Sequence, residues 1–107
     1  MKVSVIIPNW NGMKFIGMCL DSLDQSDFYS YEVIVIDNGS VDGSREMIEK
    51  NYPLVRLIKN PENLGFAVAC NQGIKAAKGK YISLLNNDIE VESNWLTKLY
   101  EGMERHP

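Results

Sequence analysis

The sequence predicts an open, doubly wound α/β layer: a mostly parallel sheet with helices on both sides. Four short apolar runs, Val3–Pro8, Glu32–Asp37, Val55–Asn60 and Tyr81–Leu85, alternate with segments of helical periodicity. Alternation of this kind builds α/β layers with right-handed crossovers. The runs are continuous rather than alternating, which is the pattern of strands buried on both faces. Polar residues gather just after each run, at the strand ends where open parallel sheets bind their ligands.

Taken in order, the first run leads through Asn9-Trp10-Asn11-Gly12 into a helix on which Phe15, Ile16, Cys19, Leu20 and Leu23 recur at helical spacing. The second run opens into Asp37-Asn38-Gly39-Ser40-Val41-Asp42-Gly43-Ser44, a turn-rich loop in which Ser40 or Asp42 is placed to cap the next helix. That helix, about Asp42 to Asn51, is short, with Met47 and Ile48 as its main apolar residues and Pro53 as its stop. After the third run, Phe66, Cys70, Ile74 and Ala77 are expected on one buried helix face, and Gly73 is expected to allow close packing on the sheet. The fourth run ends in Asn86-Asn87-Asp88. A last amphipathic helix carries Trp95, Leu96, Leu99, Tyr100 and Met103, with Ser93 or Asn94 as its cap.

Composition narrows the function classes. With 107 residues, 45% apolar and 23% charged, the chain suits one modest core, so residues 1–107 are read as one domain. A net charge of −3 with no basic cluster argues against nucleic acid and against a lipid surface. No apolar run is long enough to span a membrane and no signal peptide opens the chain, so the expected location is cytoplasmic, with membrane association open for a longer parent. Cys19 and Cys70 are isolated, read as buried thiols in a reducing compartment. The only histidine, His106, stands next to the terminus, which removes His-based acid–base chemistry. There is no GxGxxG, no GxxxxGK[ST] and no GxSxG.

The four polar loops are expected to form one cleft. Asp37 closes a buried run where the strand opens into that cleft, so its carboxylate is a candidate acceptor for a base N–H or a ribose hydroxyl; Asp42 and Ser44 are explained by turn chemistry. Asp88, with amide neighbours, suits magnesium or manganese shared with phosphate oxygens. Asn63 and Gly65 open a helix whose N-terminal N–H groups favour a phosphate or another polar group. Asn71 is placed in the cleft or on the solvent face of that helix, and Asn87 completes the nucleotide-binding candidates.

Together, Val3-Ser4-Val5-Ile6-Ile7-Pro8-Asn9-Trp10-Asn11, the Val35–Ser44 loop, the Asn63–Gly73 segment and Leu84-Leu85-Asn86-Asn87-Asp88 resemble the N-terminal half of the family 2 glycosyltransferases. The resemblance implies the GT-A fold with sheet order three, two, one, four. It implies a nucleotide-diphosphate-sugar donor, a divalent metal (Mg or Mn), and inversion at the anomeric carbon. By position, Asp37 would read the base or ribose, Pro8 and Asn11 would line the nucleotide pocket, and Asp88 would be the last acid of the metal-binding DxD-type motif. The motif departs from the pattern at Asn86, and Asn-Asn-Asp is similar to the rhamnosyltransferase subset, which points to a deoxythymidine-diphosphate donor. The family's catalytic base belongs to a C-terminal half beyond Pro107, as does the platform for a saccharide or lipid-linked acceptor, so the chain reads as a fragment that binds nucleotide without transferring sugar.

The competing reading is a non-catalytic nucleotide-binding α/β module; a nucleotidyltransferase or a receiver domain fits the first loop poorly. A strand left uncovered at the sheet edge also predicts a homodimer through Tyr81–Leu85.

Overall fold

The computed structural model describes residues 1–106; Pro107, the last residue of the expected domain, lies outside the described residues. The elements run β1 (Val3–Asn9), α1 (Ile16–Asp24), β2 (Tyr31–Asn38), α2 (Ser44–Asn51), β3 (Arg56–Asn60), α3 (Phe66–Ala76), β4 (Tyr81–Leu84) and α4 (Trp95–Arg105). The sheet order is β3-β2-β1-β4 and each neighbouring pair is parallel. The predicted alternation and strand order are therefore both present, with boundaries shifted by a residue or two.

Residue parity along the strands divides the core. In a strand, successive side chains point to opposite faces. Val3, Val5 and Ile7 of β1 and Val35 of β2 pack with Ile16, Cys19, Leu20 and Leu23 of α1, Ile48 of α2 and Leu96 of α4. Ile6, Ile34 and Ile36 face the other way and pack with Ala69 of α3. The molecule thus has three layers, with α1, α2 and α4 on one face and α3 alone on the other. Each fully buried aliphatic side chain contributes about 1.5–3 kcal/mol of transfer free energy, and the central strands β1 and β2 carry most of them.

Three expectations are corrected. The buried face of α3 is Ala69, Cys70 and Gly73, whereas Phe66 and Ile74 are exposed. The helix lies so close to the sheet that a Cβ on Gly73 would stand 2.9 Å from Ile36 Cδ1 and nearer still to Ile6 Cγ2; only small residues fit that approach. Burial on both faces holds for β1 and β2 but not for β3 and β4, which flank the sheet and are half-covered. The caps are met in part: Asn94 holds the N-cap position of α4 as expected, whereas Gly43 rather than Ser40 or Asp42 holds that of α2, and neither N-cap residue makes a side-chain cap hydrogen bond.

A buried polar network ties the N-terminal ends of all four strands. Glu32 Oε2 accepts from Ser4 Oγ at 2.6 Å and from the Lys78 N–H at 2.7 Å, and its Oε1 accepts from Arg56 at 2.8 Å. Burial works to raise the Glu32 carboxyl, but the hydrogen bonds from Ser4 and Lys78 and the Arg56 guanidinium outweigh it and hold it below the ordinary glutamate value. No helix among the described residues is long and apolar enough to cross a membrane.

Candidate functional site

At the opposite, C-terminal ends of the strands lies a cleft of about 360 Å³, lined by Pro8, Asn9, Trp10, Asn38, Asn63, Phe66, Asn86, Asn87 and Asp88. A larger groove of about 720 Å³ runs past Tyr29, Tyr52 and Leu54. The smaller cleft is the candidate site, because residues from β1, β2 and the loops after β3 and β4 converge there with polar groups left unpaired. In the larger groove the Tyr52 hydroxyl is already bound to Asp21 and to the Gly17 carbonyl.

The floor of the cleft is an amide hub. Asn9, at the end of β1, is 1% exposed. Its Nδ2 donates to Asp37 Oδ1 at 3.1 Å, to Ser44 Oγ at 3.1 Å and to Ser40 Oγ at 3.4 Å, while its Oδ1 accepts from Asn87 Nδ2 at 3.0 Å. Gly12 passes directly over this pair; a Cβ there would fall inside van der Waals distance of both Asn9 Oδ1 and Asn87 Nδ2. The one residue thereby joins the ends of β1 and β2 to the loop after β4.

Asp37 is 0% exposed. Its carboxylate accepts from Asn9 and, through Oδ2, from the Ser40 N–H at 2.9 Å. It has no surface with which to touch a base or a ribose, so the expectation of direct ligand contact is corrected: Asp37 braces the loop beneath the cleft. Its neighbour Asn38 is the β2 residue that borders the cleft, and all four of its hydrogen-bonding positions are taken. Nδ2 donates to Asn63 Oδ1 and the Gly65 carbonyl, and Oδ1 accepts from Asn60 Nδ2 and the Leu64 N–H. Parity was the signal available for this exchange. Asn9 and Asp37 are register partners on the α1 side, whereas Pro8 and Asn38 belong to the α3 side.

Other candidates separate in the same way. Asn11 adopts φ +50° and staples the first two loops together, its N–H bound to Ser40 Oγ and its Oδ1 accepting from the Val41 N–H; it is not in the cleft lining. Asp42 accepts from the Met13 and Ser44 N–H groups and from Ser44 Oγ, and these bonds outweigh burial and hold its carboxyl low. Asn71 is an exposed residue of α3 outside the lining, a correction to its placement in the cleft. Gly65, at φ +93°, gives its own N–H to Asn63 Oδ1 and turns the chain into α3, whose first residue, Phe66, borders the cleft. Pro8, Asn63, Asn87 and Asp88 all line it. Sequence reasoning did not single out Asn9, Trp10, Asn38 or Phe66 as site residues; Trp10 and Phe66 are large, exposed and aromatic.

Five side-chain groups in the lining carry no internal hydrogen bond among the described residues: the Trp10 indole N–H, Asn63 Nδ2, the Asn86 amide, Asn87 Oδ1 and the Asp88 carboxylate. Cys19 lies behind them, its thiol 3.8 Å from the Asn86 carbonyl; burial, and after it the Asp88 charge, push that thiol up to about 11. No three His, Cys, Asp or Glu side chains gather as a metal cage among the described residues. One exposed carboxylate with two flanking amides fits a magnesium or manganese ion shared with phosphate oxygens, and does not fit an ion held by protein alone.

The family described as glycosyl transferase family 2 matches residues 4–107. Glycosyltransferase GlyG of Streptococcus pneumoniae is 32% identical over 107 residues, covering 95% of this chain and 35% of the relative. The uncharacterized glycosyltransferase YibD of Escherichia coli is 41% identical over 93 residues, covering 84% of this chain and 27% of the relative. The chain thus spans roughly a third of the length of these curated relatives. Among solved structures, S. aureus TarS 1–349 in complex with UDP-GlcNAc superposes with a TM-score of 0.90 at 29% identity, over 99% of this chain and 32% of that one. The mannosyltransferase PcManGT of Pyrobaculum calidifontis, in complex with GDP-Man and Mn2+, gives 0.72 at 30% identity, over 81% of this chain and 27% of that one.

Proposed function

The chain belongs to glycosyl transferase family 2, and from that premise we propose that its cleft holds the nucleoside-diphosphate part of a sugar donor for inverting transfer. Residues 1–107 are, on this reading, the donor-binding part of the enzyme. On the same reading the acceptor platform and the catalytic base would lie outside these residues. The observation that carries the proposal is the convergence of Asn63, Asn86, Asn87 and Asp88, with unpaired polar groups, around the first turn of α3.

The chemistry follows from what each group has left to offer. Trp10 and Phe66 give flat apolar surface to a base or a sugar. Asn63 Nδ2 offers a donor and Asn86 offers both a donor and an acceptor, which suits ribose and base edges. The N-terminus of α3, with its partial positive charge, favours the diphosphate. Asp88 and Asn87 Oδ1 would hold the divalent ion, which when bound supplies neutralisation of the charge that grows on the leaving diphosphate. Asp37 keeps these groups in register from beneath the cleft, and Asn9 and Asn38 fix its lining through their hydrogen bonds.

The Asn86-Asn87-Asp88 sequence further favours a deoxythymidine-diphosphate donor of the rhamnosyl type, and the unpaired outer side of β4 favours association of two copies. The proposed location is cytoplasmic. Titration calorimetry of the chain with UDP, dTDP and GDP, each with and without Mn2+, tests the reading. At least one nucleotide should bind with metal assistance, and Asp88→Asn should abolish the assistance. Failure of all three to bind the folded chain at millimolar concentration would sink it.

A further inference from the structure

We propose that Asn9 is a positioning residue for the ligand-facing segment Asn86–Asp88. It acts through Asn87, so that Asn87 Oδ1 is presented beside the Asp88 carboxylate as the second oxygen for a divalent ion shared with a diphosphate. The inference deepens the donor-site reading and rests on it.

Hydrogen-bond polarity sets the orientation of each amide in turn. A carboxylate without its proton can only accept. Asp37 therefore receives Nδ2 of Asn9 at 3.1 Å, and the remaining donors at that end, the Ser40 N–H included, are consistent with the same orientation. An amide cannot present the same atom on both sides, so Asn9 shows Oδ1 to the loop after β4. Asn87 must answer with its Nδ2, and does so at 3.0 Å. Its own Oδ1 is then turned away from Asn9 and has no partner among the described residues, in a residue that lines the cleft next to Asp88. Asp37, Asn9 and Asn87 thus form a relay in which the buried carboxylate dictates which atom Asn87 exposes. A freely rotating Asn87 would offer NH2 or oxygen to the cleft at random, and the NH2 would repel a cation.

The relay is anchored at both ends of its rigid part. Asn9 and Asp37 are register partners on adjacent strands, so their separation is set by the sheet itself. Gly12 covers the Asn9–Asn87 contact with no side chain, and any Cβ there would displace it. Residues that orient a metal ligand without touching the metal commonly change affinity by about 10-fold to 100-fold when removed.

The test separates positioning from folding. The chain is titrated calorimetrically with whichever of UDP, dTDP and GDP binds tightest, in the absence and presence of MnCl2, and melting temperatures are taken in parallel. Asn87→Ala leaves the three bonds from Asn9 to the β2 loop untouched and serves as the variant expected to fold. Asn87→Ala, Asn9→Ala and Gly12→Ala should each reduce the ratio of nucleotide affinities with and without Mn2+ by about tenfold. Asn9→Ala with Asn87→Ala should lose no more than the larger single loss, and Asn9→Ala should lower the melting temperature more than Asn87→Ala, which leaves only the Asn9 Oδ1 acceptor unpaired. If Asn87→Ala keeps the full enhancement, or if the double variant loses the sum of the two, the positioning role is overturned while the donor site stands. A wild-type chain that binds nucleotide with no Mn2+ enhancement, or binds none, overturns the donor-site reading and this inference with it.

Discussion

Replacing Asp37 by Asn keeps the size of the side chain and exchanges one acceptor oxygen for an NH2. The carboxylate is 0% exposed and takes one hydrogen bond on each oxygen, from Asn9 Nδ2 at 3.1 Å and from the Ser40 N–H at 2.9 Å. After the change, one of those donors faces another donor. The loss is one charge-assisted bond together with a buried donor left unpaired, about 2–3 kcal/mol. Asn9 can avoid the clash only by turning its amide over, and that moves a donor–donor conflict onto Asn87. Against a total stability of about 5–15 kcal/mol for a domain, the melting temperature should fall by roughly 10–20 °C. Urea unfolding followed by circular dichroism measures the loss, and calorimetry below the melting range measures metal-free nucleotide affinity in the folded protein. That affinity should change little, because Asp37 has no surface in the cleft. Unchanged stability with abolished nucleotide binding would refute the bracing role and restore Asp37 as a ligand contact.

Gly73→Ala sets two effects against each other: helix propensity gains about 1 kcal/mol, while forcing a Cβ against Ile6 and Ile36 costs about 1–3 kcal/mol. The protein should be less stable by urea unfolding, and a stabilised variant would show that α3 stands farther from the sheet. Glu32 has its folded carboxyl held low, so its contribution is complete above the ordinary glutamate value and is lost as pH falls through the lowered folded value; Glu32→Gln should flatten the acid limb of a stability–pH profile, and an unchanged limb would count against the network. Ile82 and Leu84, 42% and 49% exposed on the outermost strand, should make self-association sensitive to Ile82→Lys; light scattering that shows a monomer at all concentrations, or a dimer indifferent to the substitution, would remove β4 as the contact.

The order of strands and helices was legible because each strand is a run of aliphatic residues closed by a polar loop, as Val33-Ile34-Val35-Ile36 before Asp37 illustrates. Three things were not legible from residue type alone. The first is which member of Asp37-Asn38 meets the cleft. Both are polar and adjacent, and the choice depends on the face that α3 covers, which the parity of the flanking residues reports once the layers are known. The second is the phase of α3. Reading the largest apolar residues as buried puts Phe66 and Ile74 against the sheet, but close approach selects the small ones, Ala69, Gly73 and Ala76, and leaves the large ones outside. Gly73 carried that information in advance. The Asn9 hub was hidden for a different reason: a polar residue at a strand end looks like a loop residue until the register to Asp37 and the return of the loop after β4 are both known.

Nucleotide binding is proposed at the C-terminal ends of the strands. Backbone amide resonances of the labelled chain, followed by NMR during titration with a nucleoside diphosphate and then with Mg2+, test it most directly. Shifts are expected at Trp10, Asn38, Phe66, Asn87 and Asp88, the last two growing further with the metal. Shifts confined to the larger groove around Tyr29, Tyr52 and Leu54, or no shifts at millimolar nucleotide, would contradict it.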